Sequence, residues 1–181
     1  SRPPSWNAPL RDGLLPTNEH IYDLLRHGIT VTEEIGGKST DCTISVLDWD
    51  CPENNIFHVT EELAVTDTSG LHKVVPDIVC YVNGLPLAVV ECKRPDLPGN
   101  DGDLLPNMPG NDGKPPYTQA ISQMIRNQGR DYIPHLFIYT QIALAVDGMD
   151  GKYGTCGTPA KFWATWREEE TPDTSISAWK Q

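Results

Sequence analysis

Residues 76–93 read PDIVCYVNGLPLAVVECK, two apolar runs on either side of an Asn-Gly pair. β-Branched and aromatic residues around such a pair predict a β-hairpin, because asparagine and glycine readily adopt the positive φ angles of tight hairpin turns. Asp77 enters the first predicted strand, and a Glu-x-Lys pattern, Glu91 and Lys93, leaves the second. The hairpin therefore predicts two carboxylates and one ammonium group at the same end of a sheet.

The length of the hairpin loop determines whether these side chains can meet. With a two-residue loop at 83–84, Asp77 and Glu91 would lie on opposite faces of the sheet, because side chains alternate along a strand. A three-residue loop over 83–85 sets them opposite each other on one face, with Gly84 in the left-handed conformation that such loops need. We therefore expect an odd-length loop or a β-bulge.

The residue types in this set are those that phosphodiester hydrolysis needs. The carboxylates of Asp77 and Glu91 can share a Mg²⁺ ion, which takes oxygen ligands and lowers the pKa of a bound water. The backbone carbonyl of Cys92, between the charged residues, is a candidate third ligand. Lys93 lies on the same strand face as Glu91 and can orient that water or neutralise charge on the phosphate. We predict a magnesium site in which Asp77, Glu91 and Lys93 are catalytic.

The same charges have a second interpretation. A Pro-Asp pair at a strand start and a Glu-x-Lys pattern also occur where charges form a solvated face or a cross-strand salt bridge. The continuous apolar run over 85–90 favours the metal site, because a solvated strand would alternate polar and apolar residues throughout. Two like charges at the end of a buried run need a cation beside them.

The rest of the chain predicts further strands. Four strand-like runs separated by turn residues cover 43–49, 56–65, 74–82 and 87–92, which indicates an antiparallel meander. A later apolar run, 135–146, predicts a buried strand. The predicted fold class is α/β, with a mixed, mainly antiparallel central sheet flanked by helices.

Three segments carry helical signals. Thr17 is a candidate N-cap for a short helix that Gly28 ends. Four residues at helical spacing after the hairpin form one stripe, Ala120, Gln123, Met124 and Asn127. Gly129 ends this second helix, and the aromatic cluster at 161–166 predicts a third, short one. Between the hairpin and the second helix, residues 95–116 repeat Pro-Gly-Asn-Asp-Gly and predict a long polar loop.

Composition limits the class of protein. The chain has 181 residues, 38% of them hydrophobic, which is enough for one domain with a core. Its 14 Lys+Arg against 25 Asp+Glu give a net charge of -11, which argues against a stand-alone nucleic-acid-binding module. That objection weakens where other domains or subunits hold the DNA. The sequence has no run of about 20 apolar residues and no zinc-type cysteine spacing, so we expect free thiols, a cytoplasmic location and no membrane contact.

Residues 77–93 closely resemble the nuclease core of the restriction (R) subunit of type I restriction-modification enzymes, a branch of the PD-(D/E)xK nuclease superfamily. The similarity extends to DWDCPENNIF at 48–57, and to IPHLFIY at 133–139 with the Asp-Gly pair that follows. Together these matches cover most of residues 42–148.

The resemblance implies a restriction-endonuclease-like (PD-(D/E)xK) core, in which Asp77 and Glu91 hold Mg²⁺ and Lys93 is catalytic. It also implies a DNA-positioning role for the helix after the core, where related nucleases carry a Gln-x-x-x-Tyr motif. The matching residues here are Gln123 and Asn127, so the glutamine is kept and the tyrosine is replaced.

The function implied by the resemblance is that of a Mg²⁺-dependent endonuclease domain, a type I site-specific deoxyribonuclease that hydrolyses phosphodiester bonds in foreign, unmodified DNA. The implied partners are double-stranded DNA and the modification and specificity subunits of a restriction complex. ATP-driven translocation is expected outside this chain, because the sequence has no GxxxxGK[ST] phosphate loop.

The expected organisation is an extended lead-in over 1–16, a nuclease domain over 17–170 that contains the polar loop 95–116, and a tail over 171–181 that leads toward a motor domain. Two alternatives remain open. One is a repair or junction-type nuclease on the same core, and the other is an inactive nuclease-like module for DNA binding or docking.

Overall fold

The computed structural model describes residues 10, 12–94, 115–148 and 150–167. Within these residues the α-helices are α1 (Leu14–His27), α2 (Tyr117–Asn127) and α3 (Pro134–Phe137). The strands are β1 (Ile29–Ile35), β2 (Lys38–Ile44), β3 (Phe57–Glu61), β4 (Val65–Thr66), β5 (Lys73–Val74), β6 (Ile78–Val82), β7 (Leu85–Cys92), β8 (Ile142–Val146), β9 (Gly151–Gly154) and β10 (Ala164–Thr165). Short 3-10 turns occur at Pro52–Asn54 and Ala160–Phe162.

Six of these strands form the central sheet, in the order β10-β9-β8-β7-β6-β3. All neighbours in it are antiparallel except β7 and β8, which run parallel because α2 and α3 connect them as a crossover. The predicted α/β fold with a mixed, mainly antiparallel sheet is confirmed. The chain between 45 and 92 supplies the antiparallel half, and the crossover adds the strands on the other side of β7.

The hairpin of β6 and β7 has a two-residue loop and a bulge. Val82 pairs with Leu85, and Asn83 and Gly84 between them have φ angles of 50° and 82°, as tight hairpin turns of this type require. The register then shifts, because Tyr81 pairs with Pro86 while Cys80 pairs with Ala88. The residue left over is at position 87, and beyond it Ile78 pairs with Val90.

This bulge changes which residues of β6 and β7 share a face of the sheet. Continuing the register one residue past Ile78 and Val90 sets Asp77 opposite Glu91, and opposed residues of a strand pair share a face. Of the two expected arrangements, the bulge is therefore the one that the protein uses, and the odd-length loop is wrong.

Helix α2 covers one face of the sheet. Its Ala120 and Met124 are fully buried against Val79 of β6, Val89 of β7 and Ala143 of β8. Burying a side chain of the size of methionine stabilises the fold by roughly 1.5–3 kcal/mol. Since Glu91 has the same parity as Val89 on β7, it lies on this α2-covered face as well.

Helix α1 packs against the turn that follows α3. The Asn18 side chain is buried and donates hydrogen bonds to the carbonyls of Phe137 and Thr140, at 3.0 and 2.9 Å. The helix ends at Gly28 as predicted, where the backbone N–H caps the Leu24 carbonyl at a positive φ of 78°. It starts before Thr17, however, so the last residues of the predicted lead-in are helical. The Thr17 hydroxyl donates to the Gly13 carbonyl instead of capping the helix.

Three strand predictions are wrong in part. The run over 74–82 divides, because Val74 belongs to β5, which pairs with β4 in a separate sheet, and β6 begins only at Ile78. The run over 43–49 does not join the meander, because β2 ends at Ile44 and pairs with β1 in a separate two-stranded ribbon. The Asp48 carboxylate then turns the chain by accepting hydrogen bonds from the Cys51 backbone and the Asn54 amide. The run over 56–65 shortens to β3, after which Glu62 has a positive φ of 50°.

The later elements differ from the predictions in the same way. His135 lies in α3, where Pro134 occupies the first turn, and the strand begins only at Ile142. A proline at this position favours helix, and the periodicity of a wholly apolar run cannot separate a buried helix from a buried strand. The predicted helix at 161–166 is a 3-10 turn followed by β10.

Helix α2 ends at Asn127, two residues before Gly129. The predicted polar loop lies outside the described residues except for Pro115 and Pro116, and so do residues 1–9 and the tail at 171–181. No helix within the described parts of the chain is long and apolar enough to cross a membrane.

Candidate active site

The candidate site lies where β6 begins and β7 ends. Asp77 is the residue before β6, Glu91 is the second last of β7, and Lys93 follows β7 directly. The Lys93 backbone N–H donates to the Val146 carbonyl at 2.8 Å, which continues the parallel pairing with β8 beyond the strand end. Neighbouring strands thus bring the three predicted residues together at one end of the sheet.

Asp77 is fixed by the main chain of the opposite strand. Its Oδ2 accepts a hydrogen bond from the Cys92 backbone N–H at 2.6 Å. A carboxylate held by a backbone donor in this way has few other orientations open to it. Its charge acts on Glu91, because it is one of the causes that raise the Glu91 pKa.

Glu91 is the most deeply buried charged residue of the site, with 1% of its surface exposed. Burial raises the pKa of its carboxyl to about 7, an effect that the positive charge of Lys93 opposes and the negative charge of Asp77 reinforces. Its Oε1 accepts a hydrogen bond from the Lys93 ammonium at 3.0 Å. Its Oε2 is buried and has no hydrogen-bond partner, so this oxygen is open to a cation.

Lys93 connects the sheet with α2. Its Nζ donates to Glu91 Oε1 and to Gln123 Oε1, both at 3.0 Å. Gln123 is thus part of the same cluster as the carboxylates. Asn127, one turn further along α2, is 2% exposed, and its Oδ1 is buried without a partner. At that exposure, Asn127 can act on DNA only through the residues around it.

The Cys92 side chain is exposed at the end of β7, and its backbone N–H is the donor that holds Asp77. The neighbouring protein still partly desolvates the sulfur, and this desolvation, followed by the charges of Asp77 and Glu91, raises the pKa of its thiol. A hard cation such as Mg²⁺ takes oxygen ligands, so the thiol is a poor ligand for it. The backbone carbonyl is therefore the group of Cys92 that could serve as a ligand.

The donor set fits a small, hard cation. The described residues contain no cluster of three or more His, Cys, Asp or Glu side chains that could hold a metal ion, so an ion here would have two carboxylates, a main-chain oxygen and water. Mg²⁺ is commonly bound by one or two carboxylates and several waters, whereas Zn²⁺ prefers nitrogen and sulfur. The unpartnered Oε2 of Glu91 supplies an oxygen that such an ion needs.

Arg126 is a residue of the site that the sequence reasoning missed. It lies three positions after Gln123 on α2, and its positive charge lowers the pKa of Glu91. The guanidinium carbon is 5.4 Å from the centroid of the Tyr132 ring, and Nε is buried without a hydrogen-bond partner. The spacing of three from Gln123 was the available signal, because residues at i and i+3 share one side of a helix.

Comparison with known proteins gives a family match. The family model described as the N terminus of the type I restriction enzyme R protein matches residues 5–162. Among curated proteins, the chain is 29% identical over 154 residues to the type I restriction enzyme HindI endonuclease subunit of Haemophilus influenzae. It is 28% identical over 130 residues to the putative type I restriction enzyme MjaVIIIP endonuclease subunit of Methanocaldococcus jannaschii.

These alignments cover most of this chain but a small part of each relative. They span 85% and 71% of the chain, against 13% and 11% of the two relatives. A further protein from Methanocaldococcus jannaschii, the putative type I restriction enzyme MjaIXP endonuclease subunit, is 24% identical over 84% of the chain and 13% of its own length.

Proposed function

Because the chain belongs to the family of type I restriction enzyme R protein N termini, we propose that it is the Mg²⁺-dependent endonuclease domain of such an enzyme, with a PD-(D/E)xK-type core. It hydrolyses phosphodiester bonds of foreign, unmodified double-stranded DNA. In the complete enzyme, which is cytoplasmic, it acts with modification and specificity subunits. ATP-driven translocation belongs to the part of the enzyme outside this chain.

The observation that carries the proposal is the unpaired oxygen of Glu91. A buried ionised carboxylate loses its hydration, and this costs several kcal/mol unless charges and hydrogen bonds replace the water. Lys93 satisfies one oxygen, while Oε2 has no partner and a second carboxylate, Asp77, adds its charge to the site. A divalent cation held by Asp77 and Glu91 would offset both their desolvation and their repulsion.

Each residue has a separate task in the proposed reaction. Asp77 and Glu91, with the Cys92 carbonyl, would hold the ion, which when bound polarises the phosphate and lowers the pKa of a water. Lys93 places its ammonium group beside the carboxylates, where it can orient the attacking water or stabilise negative charge on the phosphate. Gln123 holds Lys93 in this position through the 3.0 Å hydrogen bond to Nζ. The Cys92 N–H fixes the orientation of Asp77.

The salt bridge between Lys93 and Glu91 favours a second candidate function. In an inactive nuclease-like module that serves for docking, the same pair would neutralise a buried charge and need no metal. The two candidates differ in what Lys93 does, because it is catalytic in the first and only structural in the second.

Metal binding and DNA cleavage test the proposal in two stages. Isothermal titration of the chain with Mg²⁺ should show one site at a pH above the Glu91 pKa, and Asp77→Asn and Glu91→Gln should each weaken it at least ~10-fold. Asp131→Asn, an exposed carboxylate change, is the matched control. In the complete enzyme with ATP and Mg²⁺, plasmid cleavage should require the same carboxylates. Normal Mg²⁺ affinity in both site variants would exclude the metal site, and cleavage that persists in them would exclude the catalytic assignment.

A further inference from the structure

The sheet face opposite Glu91 carries an apolar groove. Helix α1, the turn at 45–50 and the open face of the sheet enclose a volume of about 680 Å³. Leu25 of α1 and Leu47 of the turn form one side, and Cys80 of β6 and Ala88 of β7 form the floor. The indole of Trp49 also lines the groove, fixed by a hydrogen bond from Nε1 to the Leu25 carbonyl at 2.9 Å.

Exposed apolar side chains of β3 extend this groove to the edge of the sheet. Phe57 and Val59 are 62% and 65% exposed. They pair with Val82 and Cys80, two residues that line the groove, and therefore lie on the same face. Trp49 is 63% exposed. A continuous exposed apolar surface of this kind marks an interaction site, because isolated soluble domains rarely expose one.

The uncovered part of the face has the width of one helix. Residues of α1 line one side of the groove, β6 forms part of its floor, and Phe57 and Val59 of β3 beyond it are exposed. Two strands span about 10 Å, since neighbouring strands are roughly 4.8 Å apart, and a helix with its side chains is about 10–12 Å across. A second helix beside α1 would therefore complete this layer, as α2 completes the opposite one.

We propose that this groove and the apolar side of β3 are the docking site for an amphipathic helix from the same polypeptide, in the part that lies outside these 181 residues. The inference rests on the proposed function, in which the chain is one domain of a longer subunit. The matched region is only 11–13% of the length of the curated relatives, so most of such a polypeptide is available to cover the groove.

Charge and geometry agree with this occupant. Among the described residues that line the groove, Arg26 is the single cationic one, so this lining lacks the clustered Lys and Arg that bind the DNA backbone. A covalently connected helix acts at an effective concentration in the millimolar range, which lets a modest apolar contact stay occupied. The groove faces away from Glu91, so an occupant there leaves the candidate active site open to DNA.

Thiol reactivity provides the test, because all five cysteines are free and Cys80 lies in the groove. Alkylation of Cys80 is followed by peptide mass spectrometry in the 181-residue chain and in the full-length polypeptide. The exposed Cys51 is the internal control. We expect Cys80 to react at least ~10-fold more slowly in the full-length polypeptide, and Cys51 to react equally in both.

Two further changes make the experiment specific. Val59→Lys in the full-length polypeptide should restore Cys80 reactivity, whereas Leu71→Lys, at an apolar position that is 82% exposed in the turn between β4 and β5, should not. Mg²⁺ titration of the Val59→Lys chain should be unchanged, which separates failure of this inference from failure of the metal site.

Three outcomes would overturn the proposal. The first is equal Cys80 reactivity in the two proteins. The second is a Cys80 that is already protected in the monomeric 181-residue chain, because a segment of this chain would then fill the groove. The third is dimerisation of the 181-residue chain in sedimentation experiments, with Val59→Lys abolishing the dimer. A second copy of the chain would then be the occupant of the groove.

Discussion

Glu91 should make the folding stability of the metal-free protein depend on pH, and Glu91→Gln should remove that dependence. Burial raises the pKa of the Glu91 carboxyl from its ordinary value of 4.5 to about 7. A group whose pKa is raised in the folded state contributes full stability below its unfolded pKa, and that contribution is lost as the pH rises through the folded pKa. The metal-free protein should therefore lose stability between about pH 4.5 and pH 7.

The size of the loss follows from the two pKa values. A difference between about 7 and 4.5 corresponds to roughly 3 kcal/mol of unfolding free energy above pH 7, at about 1.4 kcal/mol per pH unit. With 1% of Glu91 exposed, solvent screening reduces this figure little. A glutamine side chain does not titrate, so the Glu91→Gln variant should lack this component.

Urea unfolding of the chain at about pH 5 and about pH 8, with a chelator present, measures the effect. The difference between the wild-type and Glu91→Gln profiles isolates Glu91 from other groups that titrate in this range. Glu53→Gln, at an exposed position, is the matched control and should follow the wild type. Adding Mg²⁺ at about 100 times its dissociation constant should return about 2.7 kcal/mol at the higher pH and much less at the lower, where protons compete for the carboxylate. Parallel pH profiles for wild type and Glu91→Gln would show that Glu91 is not a buried, uncompensated carboxylate with a raised pKa.

Three other changes test the site and its support. Lys93→Ala should reduce DNA cleavage by the complete enzyme at least ~100-fold, while the thermal midpoint of the variant in Mg²⁺ changes little. Lys73→Ala, at an exposed position, is the control and should leave cleavage unchanged. Undiminished cleavage in Lys93→Ala would exclude a catalytic role for Lys93. We expect the Arg126 guanidinium, whose charge acts on Glu91, to contact a phosphate of bound DNA, so Arg126→Gln should lower the slope of DNA affinity against salt by about one. Arg130→Gln, at an exposed arginine on the turn after α2, is the control for the general effect of removing one charge. Met124→Ala should destabilise the chain by roughly 2–5 kcal/mol in urea unfolding, because the Met124 side chain is fully buried between α2 and the sheet. A loss below about 1 kcal/mol would show that the surrounding core can collapse around the smaller alanine.

The hairpin and the strand pair that holds the carboxylates were predictable because their signals are local. The Asn-Gly pair fixes the turn at positions 83 and 84, and the apolar runs on either side fix the strands. Parity alone required either a longer loop or a bulge for Asp77 to meet Glu91. The choice between them was not local, since a bulge at 87 depends on how β7 packs between β6 and β8.

The elements that were wrong share one physical cause. In the run 135–146 nearly every position is compatible with the core, so neither helical nor strand periodicity appears, and the switch from α3 to β8 depends on tertiary contacts. One such contact is the Thr140 hydroxyl, which donates to the Pro86 carbonyl on β7 from the turn between these elements. The position of Arg126 near Glu91 likewise depends on how α2 crosses the sheet, and this crossing cannot be read from the sequence.

The same packing that forms the core creates the electrostatic problem at Glu91. Residues of equal parity on β7, Val89 and Glu91, are both covered by α2, so the helix that buries the first also removes water from the second. Apolar burial favours folding at Val89, whereas desolvation at Glu91 opposes it by a similar order of magnitude. Lys93 compensates for only one carboxylate oxygen. A metal ion that supplies the missing positive charge would therefore act on folding as well as on chemistry, so the protein should be most dependent on Mg²⁺ for its stability above about pH 7, where Glu91 is ionised.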